Sequence, residues 1–503
     1  MQKHFLPHGN AEQTAEAMAL ELSRLRLQLR HTRLRLLEAD HERAALRNSN
    51  SWWITAPLRR FMRRHPGPAL LARRALRLLV WAGTGELTGR LRARRVAAAA
   101  QAQELQAPSF PQDGPAPAML PLPAPSGPQG RTILVVDQGV PLPDHFAGAR
   151  TLLGILSLLR AEGWSVTFWP FDRADAGPYA RSLEALGISV VDHRFGGDLE
   201  EWLAAHGPRL DHVMLMRPRI AGTLLPAVLR HSDARLSYYG HDMHYARFRQ
   251  EAELSGNRDM LEIAARMEAA ERRVWRAVDV VLYPSPEEAA EVQRLEPGVD
   301  ARALPPYAFD SFPPPRLPTT GETMLFVGGF RHPPNVDAAC WFVQSVLPRI
   351  LAQRPHARFV VAGSSPPAAV HALAGPQVVV TGQISDAELA DWYASARVAV
   401  APLRFGAGVK GKVVEALHAG LPLVTTTVGA QGLPGLAAIA PVHDDADAQA
   451  DAVLRLLADD AAWQAQAAAQ VAYAERHFSR ETMRAALLAA LAGEPPLAGE
   501  VAT

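Results

Sequence analysis

Short apolar runs alternate with helical segments over residues 131–492, and this alternation is the strongest structural signal in the chain. The runs are TILVVD (132–137), SVTFW, ISVV, HVMLM, RLSYY and DVVLY, then MLFVGGF (324–330), RFVVAG, QVVVTG, RVAVAP and LPLVTT. Strands that alternate with helices form parallel sheets. The proline cluster SFPPPRLP (311–318) separates the two series. The pattern predicts an α/β fold of two Rossmann-like domains, 131–316 and 317–492, facing each other across a cleft.

The part that precedes these domains has a different pattern. In residues 14–48, apolar positions such as Leu22, Leu25 and Leu29 recur at spacings of three and four, which predicts either a short coiled coil that self-associates or one amphipathic helix. We therefore expect residues 1–106 to be a helical segment. Residues 107–130 contain eight prolines, which predicts an extended linker.

Charge is distributed unevenly along the chain. The net charge is +1, but residues 1–130 hold 19 Lys and Arg against 9 Asp and Glu, while the remainder holds 33 against 42. Residues 51–95 combine arginine pairs with paired tryptophans and leucines. This composition favours an anionic membrane surface as the partner. Packing against another part of the protein stays open, and single-stranded nucleic acid is disfavoured.

Features of secreted and membrane-spanning proteins are missing from the sequence. The first residues, MQKHFLPHGNAEQ, have no apolar core of a secretory signal, and no uncharged apolar run of about 18 residues occurs. The single cysteine, Cys340, cannot form an internal disulfide and indicates a reducing compartment. We therefore expect a cytoplasmic protein, peripheral on the inner face of the cytoplasmic membrane.

Two of the three lysines in the chain, Lys410 and Lys412, lie in one glycine-rich turn, within APLRFGAGVKGKVVEALHAGLPLVTT. Glycines such as Gly408 let the backbone approach a ligand closely, and the amides of a helix N-terminus attract an anion. A diphosphate suits this turn. Glu415, one helical turn later, can accept hydrogen bonds from the hydroxyls of a ribose. Surface lysines at a helix start are the alternative, which the rarity of lysine disfavours.

A second glycine turn follows the first strand of the second domain, in MLFVGGFRHPPN. Gly328 and Gly329 end the strand, and Arg331 is suited to a bidentate contact with phosphate. No GxGxxG follows the strand, which disfavours a nicotinamide-dependent oxidoreductase. Together the two turns predict a phosphate-binding clamp.

These residues resemble the large family of retaining glycosyltransferases with the GT-B fold, usually called family four or glycosyl transferases group 1. The likeness spans about residues 131–492, and its most specific part is the GAGxKxK block with the downstream glutamate. The resemblance implies that Arg331, Lys410 and Lys412 hold the diphosphate of a sugar nucleotide and that Glu415 holds the ribose. The other donor-binding residues that it implies are Gly148, Gly328, Gly329, Gly382, Ile384, Gly408 and Val409, of which Gly382 and Ile384 belong to TGQISD (381–386), near the base.

One position departs from the family. Its common acidic pair places a first glutamate eight residues before the second, and that position is Ala407 here. The departure concerns the contacts to the donor sugar.

The first domain carries the same resemblance, in DQGVPLPDHFAGAR and YYGHDMHYARFR. His241 aligns with the histidine that faces the donor sugar, so the implied catalytic residues are His241, Arg331 and Lys412. Candidates on the acceptor side are Asp144, Arg150, Asp242, His244 and Arg247. Arg150 has the alternative of a purely structural contact on its helix.

No metal ion and no other cofactor is expected. His241 and His244 are spaced as metal ligands could be, but no second His or Cys cluster accompanies them. Asp445 and Asp447 form a D-x-D sequence, but they open a predicted helix, where acids suit the helix dipole.

The resemblance implies transfer of a hexosyl or deoxyhexosyl group from a nucleotide-diphosphate sugar to a glycan or lipid-linked acceptor, with retention. The SWWITAPLR segment resembles stretches of bacterial surface-polysaccharide proteins, which suggests lipopolysaccharide or capsule synthesis. The alternative is a non-catalytic, membrane-associated scaffold of a polysaccharide assembly complex with a degenerate donor site. Ala407 favours that alternative, and the intact lysine turn opposes it.

Overall fold

The computed structural model describes residues 32–33, 120–121, 123, 130–143 and 147–493. The predictions for 14–48 and 107–130 fall almost wholly outside these residues, and those for 51–95 and Asp144 fall wholly outside them. Within the described residues, no helix combines the length and the apolar character needed to cross a membrane.

Seven strands form the first sheet. They are β1 Thr132–Asp137, β2 Ser165–Pro170, β3 Ser189–Val190, β4 His212–Met216, β5 Arg235–Tyr239, β6 Val280–Tyr283 and β7 Ala301–Ala303. Between them lie α1 Ala147–Ala161, α2 Pro178–Ala185, α3 Leu199–His206, α4 Pro218–His231, α5 His244–Ser255, α6 Arg258–Ala277 and α7 Pro286–Leu295. The order across the sheet is β3-β2-β1-β4-β5-β6-β7, and all pairs are parallel. The order reverses at β1, so β1 and β4 flank the crevice where such sheets bind ligands.

Five strands form the second sheet. They are β8 Thr323–Val327, β9 Arg358–Ala362, β10 Val378–Gly382, β11 Val398–Ala401 and β12 Leu423–Thr425. The helices of this half are α8 Pro333–Trp341, α9 Leu347–Gln353, α10 Ala368–His371, α11 Asp386–Ser395, α12 Gly411–His418, α13 Ala446–Ala458, α14 Asp460–Phe478 and α15 Arg480–Ala492. The strand order is β10-β9-β8-β11-β12, again all parallel, and its switch point lies between β8 and β11.

Both faces of the second sheet are buried, because successive residues of each strand enter different cores. In β8, Leu325 packs with α12 and α14, whereas Met324 and Phe326 pack with α8, α9 and α13. The same alternation holds in β9 and β11. A strand covered on both faces is a continuous apolar run, which is why the runs in the sequence identify these strands.

The chain crosses between the two halves twice, and the crossing segments pair with each other. The amide of Phe309 donates to the carbonyl of Phe478 at 2.9 Å, and the amide of Arg480 donates to the carbonyl of Phe309 at 2.9 Å. Tyr307, which precedes the predicted boundary at 316, packs in a core of the second sheet.

The last helix belongs to the first core. Met483 and Leu487 of α15 pack with α1 and β1, and Arg484 pairs with Glu162 at the end of α1, Nε to Oε1 2.6 Å. The bounds 131–316 and 317–492 stay predictions. The hydrophobic cores divide the chain differently, because α15, which begins at Arg480, belongs to the first core. The apolar side chains of α15 pack against the first sheet, and the spacing of apolar residues within a helix does not reveal which sheet it packs against.

The predicted fold is confirmed. The structure consists of two parallel α/β sheets, each with the order of a doubly wound Rossmann-like domain. The runs TILVVD, HVMLM and RLSYY coincide with β1, β4 and β5. SVTFW ends one residue before β2 does, MLFVGGF begins one residue after the start of β8 and ends three residues beyond it, and the other runs contain their strands with at most two extra residues at either end. Strand β7 was not predicted, because Ala301–Ala303 has no apolar run.

Candidate active site

The glycine-rich turn between β11 and α12 has the backbone conformation that its glycines predict. Gly406 has a φ of 141° and Gly408 a φ of 70°, values that a residue with a Cβ rarely adopts. A Cβ at Gly408 would also lie 3.0 Å from Cβ of Asp242, so the turn approaches the loop after β5 closely. The amide of Gly406 donates to Oε1 of Gln250 in α5 at 3.1 Å. The turn thus contacts the loop after β5 and the helix α5 that follows it.

Both lysines of the turn are directed inward. Nζ of Lys410 donates to the carbonyl of Gly408 and, at 3.2 Å, to Oε1 of Gln431. Nζ of Lys412 donates to Oδ1 of Asn335 at 2.8 Å and lies 5.6 Å from the ring centre of Phe326. Burial lowers the pKa of Lys410 to about 7 and that of Lys412 to about 8. Two half-buried ammonium groups with neutral hydrogen-bond partners form a site that an anion would stabilise.

Asn335 joins the two glycine turns, and the sequence did not identify it. Its Nδ2 donates to the carbonyl of Gly329 at 2.7 Å while its Oδ1 accepts from Lys412. A Cβ at Gly328 would lie 2.9 Å from Cγ of Asn335, which explains the glycine. Arg331 follows the same turn with an exposed side chain. One amide side chain of α8 thus connects the two turns from which the sequence predicts a clamp.

Glu415 is held by two phenols. Its Oε1 accepts from the hydroxyl of Tyr307 at 2.9 Å, and its Oε2 accepts from the hydroxyl of Tyr393 at 3.4 Å. Nη1 of Arg150 lies 3.9 Å from Oε1. Because an ionised carboxylate has about four acceptor positions, these contacts leave room for a diol.

Arg150 connects α1 to the second half of the chain. Its Nη2 pairs with Oδ1 of Asp386 at 3.1 Å, and its Nε donates to the carbonyl of Pro143 at 2.8 Å. The predicted acceptor-side residue therefore lies among donor-side predictions, beside Glu415 and the start of α11.

The predicted base-side loop follows β10. Gly382 has a φ of 71° and accepts from the amide of Gly363 at 3.1 Å. Ile384 and Val409 are half-buried and pack against the core formed by α12 and α14.

The histidine at the end of β5 has a buried carboxylate behind it. Nε2 of His241 lies 3.3 Å from Oδ2 of Asp137, and Nε of Arg217 lies 2.6 Å from Oδ1 of the same carboxylate. Burial alone would raise the pKa of Asp137, but the Arg217 charge and the His241 contact hold it well below its usual range. Burial and the Arg217 charge lower the pKa of His241. A Cβ at Gly148 would lie 3.2 Å from Nδ1 of His241, so this glycine admits the ring.

Asp242, on the loop after β5, forms a cluster with His244 and Arg247 of α5. Oδ1 of Asp242 lies 3.0 Å from Nε2 of His244, and Oδ2 lies 3.5 Å from Nη1 of Arg247. Burial opposes ionisation of Asp242, but the charges of Arg247 and His244 outweigh it and lower its pKa. The predicted acceptor-side residues Asp242, His244 and Arg247 thus occur together, and Asp242 lies directly beside Gly408.

Three side chains near these residues were missed by sequence reasoning: Asp137, Glu288 and Asn335. Each lies at the carboxyl end of a strand or at the start of the helix that follows it, and that placement is the signal that could have identified them. Glu288 is 9% exposed, and its pKa is raised to about 8, chiefly by burial.

Among the described residues, no group of three or more His, Cys, Asp and Glu side chains could hold a metal ion. Asp445 caps α13, since its side chain accepts from the amides of Asp447 and Ala448 at 2.9 and 3.0 Å, so the D-x-D sequence is structural here.

Known proteins share this fold and part of this sequence. Residues 321–459 match the profile of the family Glycosyl transferases group 1. The chain is similar in structure to sucrose-phosphate synthase from Thermosynechococcus elongatus, with a TM-score of 0.54, 18% identity, and coverage of 71% of this chain and 97% of the other. It is also similar to HepE of Anabaena, solved with UDP and glucose, with a TM-score of 0.52, 14% identity, and coverage of 72% and 100%.

A curated relative comes from the cps region of Klebsiella pneumoniae. This uncharacterized 44.6 kDa protein is 27% identical over 116 residues, which are 22% of this chain. The match spans 30% of the relative's length. The family match thus covers part of the second half of the chain, and the solved structures share its fold.

Proposed function

We propose that the protein transfers a hexosyl or deoxyhexosyl group from a nucleotide-diphosphate sugar to a glycan or lipid-linked acceptor of a bacterial surface polysaccharide. The observation that carries the proposal is the pair of half-buried lysines, Lys410 and Lys412, whose turn is joined through Asn335 to the turn of Gly328 and Gly329. Cations with lowered pKa values beside open backbone turns suit a diphosphate. The complex of HepE with UDP and glucose supports a sugar nucleotide as the donor, and the relative from the cps region supports the link to a surface polysaccharide.

The chemistry follows from where negative charge develops. As the bond between the sugar and the diphosphate breaks, charge builds on the leaving phosphate, and Arg331, Lys410 and Lys412 stabilise it. Glu415 fixes the ribose, and His241 lines the donor sugar. Retention of configuration by front-face displacement rests on the family resemblance. The reaction requires no resident metal ion, and unchanged turnover after dialysis against EDTA would support this.

Calorimetry tests the phosphate clamp. Lys412→Ala and Arg331→Ala should each weaken the binding of a nucleoside diphosphate by about tenfold or more, since each removes a charge-assisted contact. UDP, GDP, ADP and dTDP serve as probes after a thermal-shift screen. Arg358→Ala is the control, because this exposed arginine lies at the amino end of β9, away from the strand ends that bind ligands. Unchanged affinity in both clamp variants would refute the clamp.

Turnover separates the enzyme from a scaffold. An enzyme should hydrolyse or transfer from the sugar nucleotide, faster with a membrane-lipid extract as acceptor. A scaffold with a degenerate site would bind without turnover.

We also propose that the N-terminal segment holds the protein on the inner face of the cytoplasmic membrane and self-associates through 14–48. Removal of residues 1–106 should release the protein from vesicles rich in anionic lipid and leave donor hydrolysis intact. Sedimentation of the shortened protein with these vesicles would contradict the membrane role. An unchanged number of subunits per particle, measured by light scattering, would contradict self-association.

A further inference from the structure

Three helices of the described chain begin with Ser or Asp followed three residues later by Glu. In α3 and α11, Glu201 and Glu388 are exposed and accept from the backbone amide of the capping residue, at 3.2 and 2.8 Å, as capping boxes do. In α7, Glu288 instead accepts from the hydroxyl of Ser285 at 3.0 Å through Oε2. Its other oxygen, Oε1, is thus not used to cap the helix.

Glu288 is also buried, at 9% exposed, and its Oε1 has no hydrogen-bond partner among the described residues. A buried polar atom without a partner destabilises the folded protein, so its retention calls for an explanation. The oxygen faces the lysine turn, because a Cβ at Gly408 would lie 3.4 Å from it. The side chain of Asp242 borders the same glycine.

The electrostatic surroundings limit what Oε1 can bind. Burial raises the pKa of Glu288 to about 8, and the Asp242 charge adds to this, while Ser285, Lys410 and the amide of Met243 oppose it. The negative charge of Asp242 disfavours a phosphate at this oxygen. A hydroxyl group can donate to a carboxylate or accept from a carboxylic acid, so it suits Glu288 in either protonation state.

The geometry points to Glu288 as a binding residue for the donor sugar, with Oε1 taking a hydroxyl group of the sugar that the nucleotide carries. This assignment rests on the proposed function, because it needs the diphosphate at Lys410 and Lys412 next to Gly408. The contact to the transferred sugar then comes from α7, a helix of the first sheet, and lies opposite the turn that contains Ala407.

Calorimetry with matched ligand pairs tests the assignment. The full-length protein and its variants are titrated with UDP and UDP-glucose, GDP and GDP-mannose, ADP and ADP-glucose, and dTDP and dTDP-glucose. Glu288→Ala should weaken the sugar nucleotide of the tightest pair by about tenfold or more and the nucleoside diphosphate by less than about threefold, as expected when one buried hydrogen bond is lost. Glu288→Gln, which keeps a hydrogen-bonding group, should stay within about threefold of wild type for both.

Two controls separate binding from folding. Ser285→Ala removes the cap of α7 and the partner of Oε2 while leaving Oε1, and Glu201→Ala removes a capping glutamate that is exposed. Both should leave the ratio of the two affinities unchanged. If Glu288→Ala fails to fold, Glu288→Met keeps the volume without the hydrogen bond and serves for the same comparison.

The outcomes are distinguishable. An equal loss for both ligands would overturn the assignment and show that Glu288 acts only through Lys410, and no loss for either ligand would overturn it too. Failure of wild-type protein to bind any of the four nucleoside diphosphates would refute the proposed function and the assignment with it.

Discussion

The imidazole of His241 is oriented by groups on two other strands. Asp137 ends β1 and holds Nε2 of His241 at 3.3 Å, while Arg217, which follows β4 with a φ of 63°, holds the other oxygen of Asp137. This carboxylate disfavours the tautomer in which Nε2 is an acceptor, so Nδ1 faces Gly148 as the acceptor. Asp137 is therefore a positioning residue for His241.

Asp137→Asn should separate turnover from diphosphate binding. We expect donor turnover to fall by about tenfold, because the ring loses the partner that fixes its tautomer, and nucleoside diphosphate affinity to change by less than about threefold. The pKa of His241, measured by NMR, should fall further, since the carboxylate that raises it is gone. Asp451→Asn, at an exposed site on α13, is the control. An unchanged histidine titration would contradict the orienting contact.

The lysines predict proton uptake when a diphosphate binds. In the free protein the pKa values of Lys410 and Lys412 are about 7 and about 8, so at pH 8 both are partly neutral. A bound anion raises both values, as it does that of nearby Glu288, so all three groups take up protons. Affinity should therefore fall as pH rises from about 6.5 to 9.

Titrations in buffers of different ionisation enthalpy measure this uptake. At pH 8 the wild type should take up protons, and Lys412→Arg, whose guanidinium is always charged, should take up fewer. At pH 6 the uptake by the lysines should nearly vanish, because both are already protonated. A binding enthalpy independent of the buffer at pH 8 would show that the lysines do not meet the anion.

At the scale of elements, the turn after β8 depends on the absence of a side chain at one position. Gly328→Ala places a Cβ 2.9 Å from Cγ of Asn335, so Asn335 must move away from Lys412 and Gly329. We expect a loss of about 1–3 kcal/mol in the free energy of unfolding, as for other overpacked sites, together with weaker nucleoside diphosphate binding. Gly298→Ala is the matched control, since no atom lies within 4 Å of its Cβ.

Chemical denaturation and calorimetry of the two glycine variants measure the predicted losses of stability and of nucleoside diphosphate affinity. Equal stability and affinity of Gly328→Ala and Gly298→Ala would mean that Asn335 does not join the turns.

The same elements show what the sequence can predict. Apolar runs identify β4 and β5 to the residue, because a parallel strand buried on both faces leaves an uninterrupted run. The lysine turn was predicted because lysine is rare in the chain and the turn needs glycines. Asn335 and Glu288 were not, because their significance arises from contacts with residues distant in sequence, Lys412 and Gly408, that no local pattern encodes.

At the scale of the whole molecule, α15 is the element whose packing departs from its place in the sequence. It follows the second sheet in sequence but packs in the core of the first, next to α1 and β1. The chain enters and leaves the second half through segments that pair at Phe309 and Ser479. The first core is therefore completed only by the end of the described chain, and its stability depends on residues 480–492.

Paired leucine substitutions in the full-length protein test this division. Leu487→Ala in α15, 1% exposed, and Leu456→Ala in α13, 3% exposed, each delete a buried side chain, at an expected cost of about 2–5 kcal/mol. Because the cores are separate, hydrogen exchange should accelerate in peptides of β1 and α1 for Leu487→Ala and in peptides of β8 and β9 for Leu456→Ala. Faster exchange confined to β8 and β9 in Leu487→Ala would instead assign α15 to the second core, and equal effects in both sheets would mean that the two halves unfold as one unit.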